Sequence, residues 1–151
     1  MRIARLNTMA KACVVAGLIV AMFTGALAAQ ESPSGFGARL ATDQPVYRPA
    51  QPILITFEVF NHTPAPVRFD FTSGQRFDVV IENDEGSEVW RWSAGKMFTM
   101  AMGQETLGPG NPRLIYETEY ADRLEPGRYQ IIGVLTDVRR QTSATISVEV
   151  R

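Results

Sequence analysis

Ile53-Leu54-Ile55-Thr56-Phe57-Glu58-Val59-Phe60 is the stretch that decides the architecture. Ile53, Ile55, Phe57 and Val59 recur at every second position, with Leu54, Thr56, Glu58 and Phe60 between them, which predicts a β-strand with one buried face. The same period returns near the end of the chain, where Ile146, Val148 and Val150 alternate with Ser147 and Glu149 before Arg151. Further short β-type runs lie at Val67–Phe71, Phe77–Glu82, Glu88–Trp92, Leu114–Tyr120, Tyr129–Thr136 and Ala144–Val150. No long amphipathic helical period competes with them beyond the N-terminal segment. Their lengths and spacing predict an all-β fold, an antiparallel β-sandwich of about seven to eight strands.

The turns between these runs have physical causes. Asn61-His62-Thr63-Pro64-Ala65-Pro66 carries two prolines that cannot donate in a ladder, so it must be a loop. Asn83-Asp84-Glu85-Gly86-Ser87 supplies a glycine where a positive φ is useful, so Phe77 to Trp92 reads as a β-hairpin. Glu125-Pro126-Gly127 sets another turn before Arg128-Tyr129. The stretch from Ser93 to Arg113 shows no strand character, and a loop of about 20 residues in a compact domain tends to be functional. Met97, Phe98, Met100 and Met102 lie within it, and Phe98 is the residue expected to anchor it by burial.

At the N-terminus, Arg2, Arg5 and Lys11 precede an apolar run from Ala12 to Phe23 and a small-residue exit, Gly25-Ala26-Leu27-Ala28-Ala29. This order predicts a signal peptide over residues 1–28, cut after Ala28 or, as second choice, Ala29. The apolar run is shorter than the roughly 20 residues of a membrane span, so contact with membrane is expected only before cleavage. Residues 29–37 are polar and turn-rich and predict a flexible leader, with the sandwich domain over 38–151. The predicted location is secreted or periplasmic. Cys13, the single cysteine, falls in the removed segment, so no disulfide or thiolate chemistry is expected of the mature domain. Taking Arg2, Arg5 and Lys11 from the 15 basic residues leaves 12 against 16 acidic ones, net −4. That balance argues against nucleic acid as a partner.

Catalytic machinery is not evident. The one histidine, His62, sits in the proline-rich turn without a second triad member, and with no cysteine in the mature part it makes a poor zinc site. Asp84, Glu85 and Glu88 match no calcium-loop spacing and read as a solvated hairpin tip. Asn61-His62-Thr63 has the letters of a glycosylation acceptor, but Pro64 follows directly. Glu117 and Glu119 share a strand face with Ile115, which reads as an exposed sheet face rather than as a glycosidase pair. No enzyme, cofactor or metal is expected.

Both tryptophans and the only lysine after the signal segment fall within Glu88-Val89-Trp90-Arg91-Trp92-Ser93-Ala94-Gly95-Lys96-Met97-Phe98. At i and i+2 on a strand, Trp90 and Trp92 take one face, and Val89, Arg91 and Ser93 the other. This run is one of a series: Ser73-Gly74-Gln75-Arg76-Phe77-Asp78, the Gly86 turn, Trp90 to Ser93, Gly95 to Thr99, Leu107 with Pro109-Gly110, and Pro126-Gly127-Arg128-Tyr129. The series resembles the BsuPI domain, a family named for an intracellular proteinase inhibitor of bacilli, over about Pro52 to Val150. The resemblance implies an immunoglobulin-like sandwich and inhibition of a subtilisin-like serine protease. Two features depart from the family: the export signal, and Met100 where a glutamine is expected.

A substrate-like inhibitor presents a stiff extended loop, and Ser93, Gly95, Lys96, Met97 and Phe98 form the candidate partner-binding segment, with a basic and an apolar side chain for a specificity pocket. Ser73, Gly74, Gln75, Arg76, Asp78, Trp90 and Trp92 are read as structural, Arg76 and Asp78 sharing one strand face with a carboxylate partner expected for the arginine. The alternative is a non-inhibitory cell-envelope module that binds carbohydrate or a protein partner. Accessibility of the tryptophans separates the two: an exposed planar pair suits sugar stacking, and buried rings beside an exposed Lys96 segment suit a protease. Oligomeric state is not legible.

Overall fold

The computed structural model describes residues 35–151. The expected signal peptide, Cys13 and most of the expected leader lie outside the described residues. Ten strands follow in chain order: β1 Phe36–Thr42, β2 Val46–Tyr47, β3 Ile53–Asn61, β4 Val67–Phe71, β5 Phe77–Asn83, β6 Glu88–Arg91, β7 Gly103–Leu107, β8 Arg113–Tyr120, β9 Gly127–Leu135 and β10 Thr142–Val150. One sheet has the order β1-β3-β8 and a second β2-β10-β9-β5-β6, while β4 and β7 form a separate pair. All the expected runs are strands. β1, β2 and β7 are additional, and β1 begins at Phe36, inside the stretch read as leader.

The alternation in β3 explains where the core sits. Ile53, Ile55, Phe57 and Val59 are fully buried between the two larger sheets, opposite Val79 and Ile81 of β5 and Ile131 and Leu135 of β9. Each such side chain stabilises by about 1.5–3 kcal/mol relative to exposure. The second face of β3 departs from expectation. Leu54 stays exposed, but Glu58 and Phe60 are only 4 % and 7 % exposed. β3 is a central strand, so its neighbours supply cover: Arg39, directly opposite on β1, and Arg113 on β8 both pair with the Glu58 carboxylate. Phe60 lies over Gly37, where a Cβ would come within 2.9 Å of its ring, and under the His62 imidazole at 5.4 Å.

Strand order identifies the sandwich as immunoglobulin-like. β1, β3 and β8 take the places of strands A, B and E, β5, β9 and β10 those of C, F and G, and β6 that of C′. Tyr129, near the start of β9, donates its hydroxyl to the Glu125 carbonyl at 2.8 Å, the tyrosine corner of this fold. Ile131 stands two residues on, where antibody domains carry a disulfide cysteine, and it is wholly buried. Apolar packing therefore joins the sheets without a cross-link. The antiparallel expectation needs one correction, since β2 runs parallel to β10. The chain reaches it by changing sheet after β1, and Asp43 holds that crossing by accepting from the Tyr47 hydroxyl at 2.7 Å and the Leu54 amide at 3.0 Å.

The expected long loop is also shorter than predicted. β7 pairs with β4, and Gly108 and Asn111 close a tight turn after it. Gly103-Gln104-Glu105-Thr106-Leu107 has one large apolar residue, so its strand character comes from its partner rather than from its own pattern. The irregular segment is left with residues 92–102.

Gly133→Ala would place a methyl 2.5 Å from the Phe57 ring and 2.9 Å from Leu40, and is expected to cost about 1–3 kcal/mol in urea unfolding. Tyr129→Phe should cost about 1 kcal/mol through the lost corner bond. The Tyr47 hydroxyl holds the Asp43 carboxyl below its ordinary value of 3.8. A depressed folded-state value stabilises above the ordinary value, and that contribution is lost as pH falls through the lowered one. Acid titration of stability should therefore flatten below about pH 4 in Asp43→Asn relative to the parent.

Candidate functional site

Asp78, 8 % exposed on β5, organises the start of the irregular segment. Its Oδ1 accepts from the Ser93 amide at 3.1 Å and the Val79 amide at 2.9 Å. Its Oδ2 accepts from the Ser93 hydroxyl at 2.7 Å and from Arg91 Nη1 at 2.9 Å. Glu88 and then Asp78 hold the Arg91 guanidinium above its ordinary value, so that side chain is a fixed cation. Asp78 thus pairs with Arg91, across the β5–β6 hairpin, and Arg76 has a different partner.

Arg76 belongs to the far end of the segment. Its Nε donates to Glu105 of β7 at 3.1 Å, its Nη1 donates to the Ser73 carbonyl at 2.6 Å, and its guanidinium lies over the Phe71 ring at 4.6 Å. A Cβ on Gly103 would come within 2.3 Å of that guanidinium, so a larger residue there would push Arg76 from its present position. One turn earlier, the Gly74 amide donates to the Thr99 carbonyl at 2.7 Å, and any Cβ at Gly74 would sit 2.5 Å from the Thr99 hydroxyl. The Gln75 carbonyl accepts from the Thr136 hydroxyl at 2.8 Å, which ties the turn to the end of β9. The residues read as structural, Ser73, Gly74, Gln75, Arg76 and Asp78, are therefore two clamps, one at each end of residues 92–102.

Aromatic rings form the floor between the clamps. Trp92 stacks on Phe77 at 4.2 Å and meets Phe98 at 5.8 Å, and Trp90 stands edge-on to Tyr120 at 5.3 Å. Both indoles are half-buried against the core, on the shared face the spacing predicts. Gly95 adopts φ +73°, a left-handed turn that lets the Lys96 amide donate back to Ser93 at 3.0 Å. Lys96 then folds over Trp92, its Nζ 4.8 Å from the ring. Phe98 lies against Trp92 but is only half-buried, short of the burial expected of an anchor. Met97, Met100 and Met102 are 98 %, 87 % and 85 % exposed. The pattern of the sequence placed Met97 in the candidate segment, and Met100 and Met102 only within the long loop, with no signal of their exposure.

Ser93, Gly95, Lys96, Met97 and Phe98 are thus brought together on one clamped segment, with Ser93, Lys96 and Phe98 turned to the scaffold and Met97 to solvent. Among the described residues no cluster of three or more His, Cys, Asp and Glu is placed to hold a metal ion. Nor is any helix there long and apolar enough to cross a membrane.

The BsuPI family, described as intracellular proteinase inhibitor, matches residues 40–140, which contain both clamps and the segment between them. The chain belongs to this family. No curated protein matches the chain. Among solved structures, sporulation control protein Spo0M from Bacillus subtilis is similar at 12 % identity, over 79 % of this chain and 50 % of that one, with a TM-score of 0.49. A CARDB domain from Pyrococcus furiosus, crystallised with di-metal ions, gives 14 %, 76 %, 91 % and 0.44 for the same quantities. The alkylpurine DNA glycosylase AlkC from Pseudomonas fluorescens, bound to DNA with an abasic site analog, gives 17 %, 78 %, 31 % and 0.46. As a BsuPI domain, the chain is of a proteinase-inhibitor type, and the partner that such a family implies is a protease.

Removing the carboxylate in Asp78→Ala leaves the Ser93 amide and Arg91 without their shared acceptor. The variant is expected to lose about 1–3 kcal/mol in urea unfolding and to be cut within 94–102 under limited proteolysis that leaves the parent intact.

Proposed function

We propose that this BsuPI domain is an exported inhibitor that docks residues 94–102 into the active-site cleft of a subtilisin-like serine protease. The observation that carries the reading is the combination at Met97: a side chain 98 % exposed, on a segment fastened to the sandwich at Ser93, Phe98, Thr99 and Gly103. Fixing the segment before encounter reduces the conformational entropy lost on docking, which is how a substrate-like loop gains affinity. Met97 offers a long unbranched apolar side chain to a hydrophobic specificity slot. Lys96 is occupied with Trp92, which disfavours the acidic slot of a trypsin-like enzyme. The half-buried indoles also present no planar pair for stacking a sugar, which weighs against the carbohydrate-binding alternative. Export rests on the basic, apolar and small-residue order of residues 1–28.

Titration against subtilisin-like and trypsin-like proteases with small chromogenic substrates tests the reading. Stoichiometric inhibition of the first class is expected, with little effect on the second. Met97→Asp should weaken binding by about 2 kcal/mol or more, roughly thirtyfold in Kd, while Lys96→Ala changes it little. Rapid cleavage of the segment, or no effect on either class, would sink the proposal. N-terminal sequencing of the exported form is expected to begin at Ala29, or at Gln30.

A further inference from the structure

Methionine is distributed unevenly along this chain. Three of its six methionines, Met1, Met9 and Met22, lie in the N-terminal segment, and the other three fall within six positions, Met97, Met100 and Met102. Among the described residues the core uses Ile, Val, Leu, Phe and Tyr and no methionine, although Met is a common filler of irregular core gaps. All three described methionines are instead 85–98 % exposed.

We propose that Met97, Met100 and Met102 form a thioether site for a soft monovalent metal ion, Cu(I). An apolar docking crest needs no sulfur, since Leu or Phe would serve, and Phe98, between Met97 and Met100, lies half-buried against Trp92 instead. What a thioether adds is a neutral, polarizable donor. Soft ligands of this kind select Cu(I), while Zn(II), Mg(II) and Ca(II) prefer imidazole, thiolate or oxygen donors.

The surroundings suit a monovalent cation held by neutral ligands. The three side chains are uncommitted, so no existing contact has to break, and the three rotatable bonds of each let the sulfurs converge. Met100 and Met102 are two residues apart and stand immediately before β7. The backbone beneath is fastened by the Gly74–Thr99 bond and the Gly103–Arg76 contact. Nearby positive charges are engaged elsewhere: Lys96 over Trp92, Arg76 with Glu105, and Arg68 and Arg139 with Asp70 beside Met102.

The test uses the full chain with Cys13→Ser, so that the thiol of the N-terminal segment takes no metal, and methyl-labelled methionine observed by NMR. One equivalent of Cu(I) under ascorbate, or of Ag(I) as a redox-stable stand-in, is expected to shift the methyl signals of Met97, Met100 and Met102 together, and Zn(II) to shift none. The triple variant Met97→Leu, Met100→Leu, Met102→Leu keeps the apolar bulk and should lose saturable metal binding while its circular dichroism stays that of the parent. Absence of shifts, shifts confined to one methionine, or undiminished binding in the triple variant overturns the site. Proteinase inhibition is read separately on the parent chain without added metal, so failure of one proposal leaves the other standing.

Discussion

The approach of Phe57 to Gly133 sets the distance between the two sheets, and the rest of the sandwich is built around it. Phe57 is wholly buried on the central strand of one sheet, and Gly133 lies within the central part of β9 in the other, where even a methyl group would strike the ring. An antibody domain fastens this region with a disulfide, and here Ile131 and Phe57 occupy it with close-packed apolar surface. Packing of that kind tolerates little change in volume, so the position of β5, which borders β9, is fixed closely as well. Asp78 rides on β5. The geometry of the exposed segment therefore descends from the core through one strand and one carboxylate.

The family motif takes on a physical meaning in this light. Its clamp and ring residues face the scaffold, while Met97 faces solvent. Asp78 and Arg91 fasten one end of residues 92–102, the turn at Ser73 to Arg76 fastens the other, and Phe77, Trp92 and Phe98 fill the space beneath. Gly74 and Gly103 leave room for the Thr99 hydroxyl and the Arg76 guanidinium, and neither has a positive φ. The clamps and rings are a support, and the exposed Met97, Met100 and Met102 sit on top of it.

Much of this was legible in the sequence, for reasons that also explain what was not. Period-two alternation marks strands that bury one face, so β3 and β10 could be read directly, and the glycine-bearing turn marked the β5–β6 hairpin. β1 and β7 were not legible, because Phe36-Gly37-Ala38-Arg39 and Gly103-Gln104-Glu105-Thr106 take their strand form from partners distant in the chain. Burial of Glu58 was likewise hidden, since it needs Arg39 and Arg113 to arrive from both sides. At the site, the segment and its ring floor were visible in the spacing of tryptophan, glycine and phenylalanine. That Lys96 would fold onto Trp92 and leave Met97 outermost is a property of the Gly95 turn, which no periodicity encodes.

The clamps hold the two halves of the segment independently. Ser93 and Lys96 are tied to Asp78 and Trp92 ahead of Met97, while Thr99 and Gly103 are tied to Gly74 and β4 beyond Phe98. Scission of the Met97–Phe98 peptide bond would therefore release almost no chain: the new carboxylate and amine would stay within a few ångströms of one another, at a high effective concentration. Hydrolysis in a flexible loop is drawn forward by the freedom that the cut ends gain. Here the ties on both sides withhold part of that freedom, so a cut in this segment gains less than one in an untied loop.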